Sequence, residues 1–240
     1  MENKEHSIVP LDVLRSRITK LTSRIIFRLE DRSSFPLNPY VYQPGAVPLP
    51  DNSNLSFLES AIKGLEEYHG TLGRWESHDQ HPLIISAKPA TIGRSTVGGL
   101  PELPNIDINL KDKLLPFYTG TVLPQLCDPK DNPDTYGETV YLDADVLELL
   151  NERINLGRYV AASKVETDPK IWDIVSNREA LINVLRDSER EKIVISGAIE
   201  IASRHGLDAS LTASLFRWVI DRTMDVEVDY LQGIPRPNIE

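Results

Sequence analysis

An all-α fold is the expectation for this chain, and three observations carry it. Apolar residues recur at three- and four-residue intervals over most of its length, as in Leu11, Leu14, Ile18, Leu21 and Ile25. Alternating apolar and polar runs of strand length are scarce. Stretches rich in proline, glycine and asparagine separate the periodic runs, and these residues break or start helices for definite stereochemical reasons. Without a repeat of solenoid period or a low-complexity tract, residues 1–240 read as a single helical bundle domain with long irregular loops. About 1–9 and 233–240 are expected to be frayed tails.

The first helix is expected at about 10–32, with Pro10 in its first turn, where a missing N–H costs nothing. Residues 33–54 form a proline-rich loop that ends in residues suited to capping. Residues 56–76 read as the second helix. Residues 79–108, with several prolines and a Thr-Val-Gly-Gly turn, read as an irregular connection of unusual length. A helix at 112–126 is interrupted by Pro116 and Pro124, and DPKDNPDTYG is a loop. Helices follow at about 138–163, 170–185, 188–204 and 209–232. Ser188 with Glu191 has the form of a capping box at the start of the third of these.

Composition excludes several classes. The formal charge is -10, which disfavours nucleic acid or an anionic membrane as a partner. Cys127 is the only cysteine, so no internal disulfide forms and no oxidising compartment is implied. No apolar run reaches the ~18 residues of a membrane span. MENKEHSIVPLD has neither an apolar signal core nor a transit-peptide composition, so a cytoplasmic location is expected. His78 and His81 have a loosely metal-like spacing, but Pro82 and the lack of a third nearby ligand argue against zinc. The glycines of 91–100 lack the Gly-Lys-Ser of a phosphate loop, and no Gly-x-Ser-x-Gly elbow occurs.

Four helices share one departure: charged or hydroxyl residues interrupt the stripe where Leu and Val belong. Arg153 lies seven residues from both Val146 and Val160, and Lys164 lies four past Val160. At ~100° per residue the two cations differ by only ~20° around the axis, with Gly157 between them. Arg15 edges the first stripe, and Asp187, Arg190 and Glu191 begin the face continued by Val194, Ala198 and Ala202. Thr223 and Glu227 form an i,i+4 pair framed by Phe216, Val219 and Tyr230. A lone charge on a helix is usually solvated, and Asp187–Glu191 is also a good helix start. Four helices departing together favour a pocket instead, with room beside Gly157 for something anionic, because burying such charges without a partner costs several kcal/mol.

Particular segments resemble a known family. RDSEREKIVISGAIEIASRHGLD is similar to a helix of the small bacterial all-helical chorismate mutases, with Asp187, Arg190 and Glu191 on their Asp-x-x-Arg-Glu pattern. The whole chain more closely resembles the longer, eukaryotic-type members of that class. The matching segments, in the family's order, are LRSRITKLTSRIIFRLEDRSSFPLNPYVY, LEEYHGTLGRWESHDQHP, ERINLGRYVAASK and DRTMDVEVDYL, about two-thirds of the chain. Residues 79–135 match poorly. Asp187 stands where the eukaryotic type has Asn, and Arg190 likewise follows the bacterial type. The register adopted keeps Asp187, Ser188, Ala202 and Gly206-Leu207-Asp208 together, at the expense of a short deletion within 165–190.

The resemblance implies an enzyme that rearranges chorismate to prephenate for phenylalanine and tyrosine synthesis, with no metal or cofactor, as a homodimer. It implies catalytic helices within about 10–32 and 138–232. Arg15, Arg153 and Lys164 fall on the residues that bind the two carboxylates and the ether oxygen. Arg190 falls on a carboxylate-binding arginine of the bacterial type, and Asp187 on its neighbour in that pattern. Glu191 falls on the carboxylate that takes the substrate hydroxyl, and Thr223 and Glu227 on the last-helix pair whose Glu donates to the ether oxygen. An effector-site-like part falls within about 54–145. There the family has Arg where this chain has Gly73, and Ser where it has Glu138; Arg74 and Gly137 adjoin these. The changes remove a cation and add an anion, so no response to aromatic amino acids is expected. Two other functions stay open: a mutase or pyruvate lyase acting on isochorismate or aminodeoxychorismate, and a non-catalytic helical interaction protein.

Overall fold

A computed structural model describes residues 8–86 and 99–236. The Thr-Val-Gly part of the turn at 96–99 and the outermost residues of both tails lie outside the described residues. Every regular element among the described residues is helical: α1 Leu11–Ser33, α2 Phe57–Thr71, α3 Lys111–Phe117, α4 Leu123–Leu126, α5 Tyr136–Asn155, α6 Gly157–Thr167, α7 Arg178–Leu185, α8 Ser188–Arg204 and α9 Ala209–Gly233, with short 3-10 turns between some of them. The main contacts pair α1 with α5, and α9 with both α8 and α6. Leu14, Leu21, Ile25, Val146, Leu150, Ile154 and Phe216 meet in the larger apolar core. A smaller one joins Trp172, Leu181 and Leu185 to Val228 and Leu231 at the C-terminal end of α9.

Several boundaries differ from the sequence expectation, each for a local reason. Pro10 precedes α1 and does not sit in its first turn. Ser56 and Glu59 cap α2 reciprocally, as a capping box, but the helix ends at Thr71 and not at 76. Gly73 adopts φ 73°, a left-handed conformation that glycine takes without steric penalty, and the chain continues as a 3-10 turn over Arg74–Glu76. Between α3 and α4 one π-helical turn, Tyr118–Val122, precedes Pro124, which has no N–H to continue an ordinary α ladder. The helix expected at 138–163 is interrupted at Leu156, and that expected at 170–185 is a 3-10 turn, Pro169–Ile174, followed by α7. Asp187, not Ser188, caps α8, with Oδ1 accepting the Arg190 backbone N–H at 3.0 Å. The capping-box reading is therefore corrected, and Glu191 is left free to face elsewhere.

Gly157 opens α6 against α9. A Cβ there would lie 2.7 Å from the Thr223 carbonyl oxygen. The room expected beside this glycine for an anion is taken by the α9 backbone, and the missing side chain instead lets the two helices close together.

Two buried polar anchors hold the scaffold. Arg32, fully buried at the end of α1, donates from Nε to Asp143 Oδ1 at 2.7 Å and caps the carbonyls of Phe35, Pro36 and Leu37. Tyr42 and Tyr118 donate to the same carboxylate at 2.7 and 2.8 Å, so the ion pair is enclosed by hydrogen bonds. Glu66 of α2 accepts the backbone N–H groups of Leu83, Ile84 and Ile85, fixing the irregular connection to the bundle.

Candidate active site

All eight residues expected at the site line one cavity of about 140 Å³. By volume it holds on the order of ten waters, which suits a small organic molecule. α1 contributes Arg15, α5 Arg153, α6 Lys164, the N-terminus of α8 Asp187, Arg190 and Glu191, and α9 Thr223 and Glu227. Leu11, Ile18, Val160, Val194, Ile220 and Met224 complete an otherwise apolar wall. The interrupted stripes thus converge, because α9 touches α5, α6 and α8, and α1 touches α5, α6 and α8.

The charges within this cavity are unevenly committed. Lys164 Nζ donates to Glu227 Oε2 at 2.7 Å and to the Leu185 carbonyl at 2.7 Å. Glu191 pairs with Arg186 at 3.3 Å, and Asp187 is occupied as the α8 cap. Among the described residues no carboxylate lies within ion-pair distance of the Arg15, Arg153 or Arg190 guanidinium. Arg153 is only 3% exposed. Its Nε donates to Thr22 Oγ1 at 3.2 Å, and its guanidinium lies 5.5 Å from the Phe216 ring centroid. Burial alone pushes its pKa down to about 10, so it remains a cation at neutral pH. Glu227 is 4% exposed. Burial raises its pKa, Lys164 opposes the rise and Glu191 adds to it; the net direction, left open by sequence, is upward.

This arrangement offers three cations without a carboxylate partner to an anionic guest, beside a Lys–Glu pair. Thr223 also lines the cavity, and its hydroxyl donates to the Val219 carbonyl at 2.8 Å. Sequence reasoning missed Thr22, although it lies seven residues past Arg15 on the same helix face, and read Phe216 only as apolar framing. Arg186, which bridges Glu191 and Asp221, carried no sequence signal.

The effector-like residues lie elsewhere. Gly73 forms the turn after α2, while Arg74 binds Glu148 at 2.9 Å and Gln80 at 2.9 Å. Gly137 and Glu138 are exposed in the first turn of α5. Glu148 is ten residues beyond Glu138, about 15 Å along the helix, so the four residues do not gather into one pocket within this chain. His81 is largely buried, and no group of three or more metal-binding side chains occurs among the described residues.

Comparison with known proteins bears on the same helices. The family model described as chorismate mutase type II matches residues 136–228, from α5 through most of α9. A chorismate mutase of Trichoderma parareesei is 30% identical over 243 residues, 91% of this chain and 90% of that protein. One of Schizosaccharomyces pombe is 28% identical over 239 residues, 92% of this chain and 94% of that protein. The crystal structure of a Candida albicans chorismate mutase, in complex with L-Trp, matches with a TM-score of 0.85 at 25% identity, covering 91% of this chain and 89% of that one.

Proposed function

The chain belongs to the chorismate mutase family, and from that premise we propose that the eight-residue cavity is the active site in which it isomerises chorismate to prephenate. The enzyme class is isomerase, and the product serves aromatic amino acid synthesis. The observation that carries the site assignment is the set of three guanidiniums, Arg15, Arg153 and Arg190, that no carboxylate of the described chain neutralises. Chorismate carries two carboxylates, and a dianion supplies the charge these residues lack.

The rearrangement is concerted. The ether C–O bond breaks as a new C–C bond forms, and no atom enters or leaves, so the reaction requires no nucleophile, metal or redox cofactor. The protein must hold both carboxylates of a flexible molecule in one chair-like geometry, an orientation effect that rigid helices deliver. It must also stabilise negative charge growing on the ether oxygen. Lys164 and neutral Glu227 form a preorganised donor pair for that oxygen. Glu191, held by Arg186, accepts the substrate hydroxyl.

The finer assignments rest on family likeness: chorismate and not a close analogue, and a homodimer. No described helix is long and apolar enough to cross a membrane. Purified protein given chorismate, with substrate loss and product identity followed together, is the decisive assay. Prephenate supports the assignment. Activity only with isochorismate or aminodeoxychorismate, or release of pyruvate, moves it to the related chemistry. No turnover of any of the three leaves a non-catalytic helical protein.

A further inference from the structure

Three arginines are buried among the described residues: Arg32, Arg153 and Arg158. Asp143 neutralises the first, and the second faces the active cavity. Arg158, only 4% exposed in the first turn of α6, has no carboxylate within ion-pair distance among the described residues. It lines a separate cavity of about 260 Å³ that shares no residue with the active one. Trp75, Gln80, His81 and Tyr159 also border it.

The Arg158 guanidinium is fixed but not saturated. Nη1 donates to the Ile106 carbonyl at 2.8 Å and Nη2 to the Ile108 carbonyl at 3.4 Å. A guanidinium has five N–H donors, so three remain, and buried Nε has no partner. His81 lines the same cavity, and its Nε2 is likewise buried without a partner. Burial, and then the positive charge of Arg158, push the His81 pKa down to about 4, so the ring is neutral at ordinary pH and adds no second charge. A buried cation fixed by two carbonyls, beside an orphaned neutral imidazole, lacks an acceptor carrying negative charge. Glu102, exposed, also borders the cavity.

We propose that this cavity is a second binding site, for a small oxyanion of the carboxylate or phosphate type, with Arg158 as its counter-charge and His81 Nε2 as a neutral partner. It is independent of the active-site assignment, and its test keeps the two apart. The probes are inorganic phosphate and succinate, titrated calorimetrically into the full chain carrying Arg15→Ala, Arg153→Ala and Arg190→Ala together, which has lost the three unpaired cations of the active cavity. One saturable site is expected for at least one probe, and the probe that saturates assigns the anion class. Adding Arg158→Met is expected to abolish that binding. If that variant does not fold, His81→Leu, which leaves the cation in place, is expected to weaken it about tenfold. Absence of saturation by either probe up to about 10 mM overturns the proposal. So does binding that persists in Arg158→Met or, where that variant fails to fold, binding unchanged in His81→Leu.

Discussion

Arg153 donates its Nε–H to the Thr22 hydroxyl at 3.2 Å, and Thr22 donates its own O–H to the Ile18 carbonyl at 2.9 Å. A neutral partner therefore orients the most buried cation of the site without cancelling its charge. Thr22→Val removes the hydrogen bond and keeps the volume. A hydrogen bond to a charged group is worth about 1.5–3 kcal/mol, so catalytic efficiency is expected to fall roughly 10- to 100-fold. Thr22→Ser is expected to retain most activity, and Thr22→Asp to lose it by capturing the guanidinium. Steady-state kinetics of the three, with helix content checked by circular dichroism, test this; a fully active Thr22→Val would mean that packing alone orients Arg153.

Arg153→Ala is expected to abolish turnover, and Lys164→Ala nearly so, with the fold retained. The first removes a substrate-facing cation; the second also leaves Glu227 buried without its 2.7 Å partner. Retention of more than about a tenth of wild-type efficiency by Arg153→Ala, a loss under about 1.4 kcal/mol, would remove the cavity from the mechanism.

The role proposed for Glu227, donating a hydrogen bond to the ether oxygen, requires its neutral form. Burial raises its pKa, so activity should be highest at the acidic end and fall as pH rises through the folded value. Stability has the same sign. Its contribution is full below the unfolded value and is lost as pH rises through the folded one, because between them the folded state binds the extra proton. Glu227→Gln donates at every pH and should flatten both profiles while keeping substantial activity at neutral pH. Rate and thermal midpoint measured from about pH 5 to 9 decide it; superimposable wild-type and variant curves would exclude Glu227 as the donor.

Regulation by aromatic amino acids is expected to be absent. The Arg74 guanidinium is engaged by Glu148, His69 and Gln80, Gly73 supplies no cation, and Glu138 adds an exposed anion. Millimolar tryptophan or tyrosine should leave initial rates unchanged. A several-fold change with either would show that other groups hold an effector.

Asp143→Ala is expected to destabilise the chain by about 3–5 kcal/mol, because it leaves Arg32 charged and buried and strips two tyrosine hydroxyls of their acceptor. Guanidinium denaturation measures the loss. A change below about 1 kcal/mol would mean that water reaches and solvates Arg32.

The lining of the cavity was legible where a charged or hydroxyl residue broke an apolar stripe: Arg153, Lys164, Glu191, Thr223 and Glu227 could be read because regular helices fix which residues share a face. Arg32 and Arg158 were not legible. Each looks like a solvated charge on a helix until its surroundings, distant in sequence, are known: Asp143 is 111 residues from Arg32, and the Ile106 carbonyl is 52 from Arg158. Glu66 was hidden in the same way, since its partners are backbone amides of a loop with no periodic signal. The α2 terminus and the break at Leu156 were misplaced because each is marked only by a nearby glycine, Gly73 or Gly157, within an apolar pattern that continues past it.

Gly157 makes the geometry of the proposed active site depend on a missing methyl group. The α9 backbone rests where a side chain would stand, and Glu227 follows Thr223 by one turn, just as Lys164 follows Gly157 by two. An alanine at 157 would therefore act as a wedge, prising apart the surfaces that carry the acid and the ammonium. The reach of the Lys164–Glu227 pair is set by an atom the chain does not have, and a library that varied only the charged residues would never sample the position that gauges them.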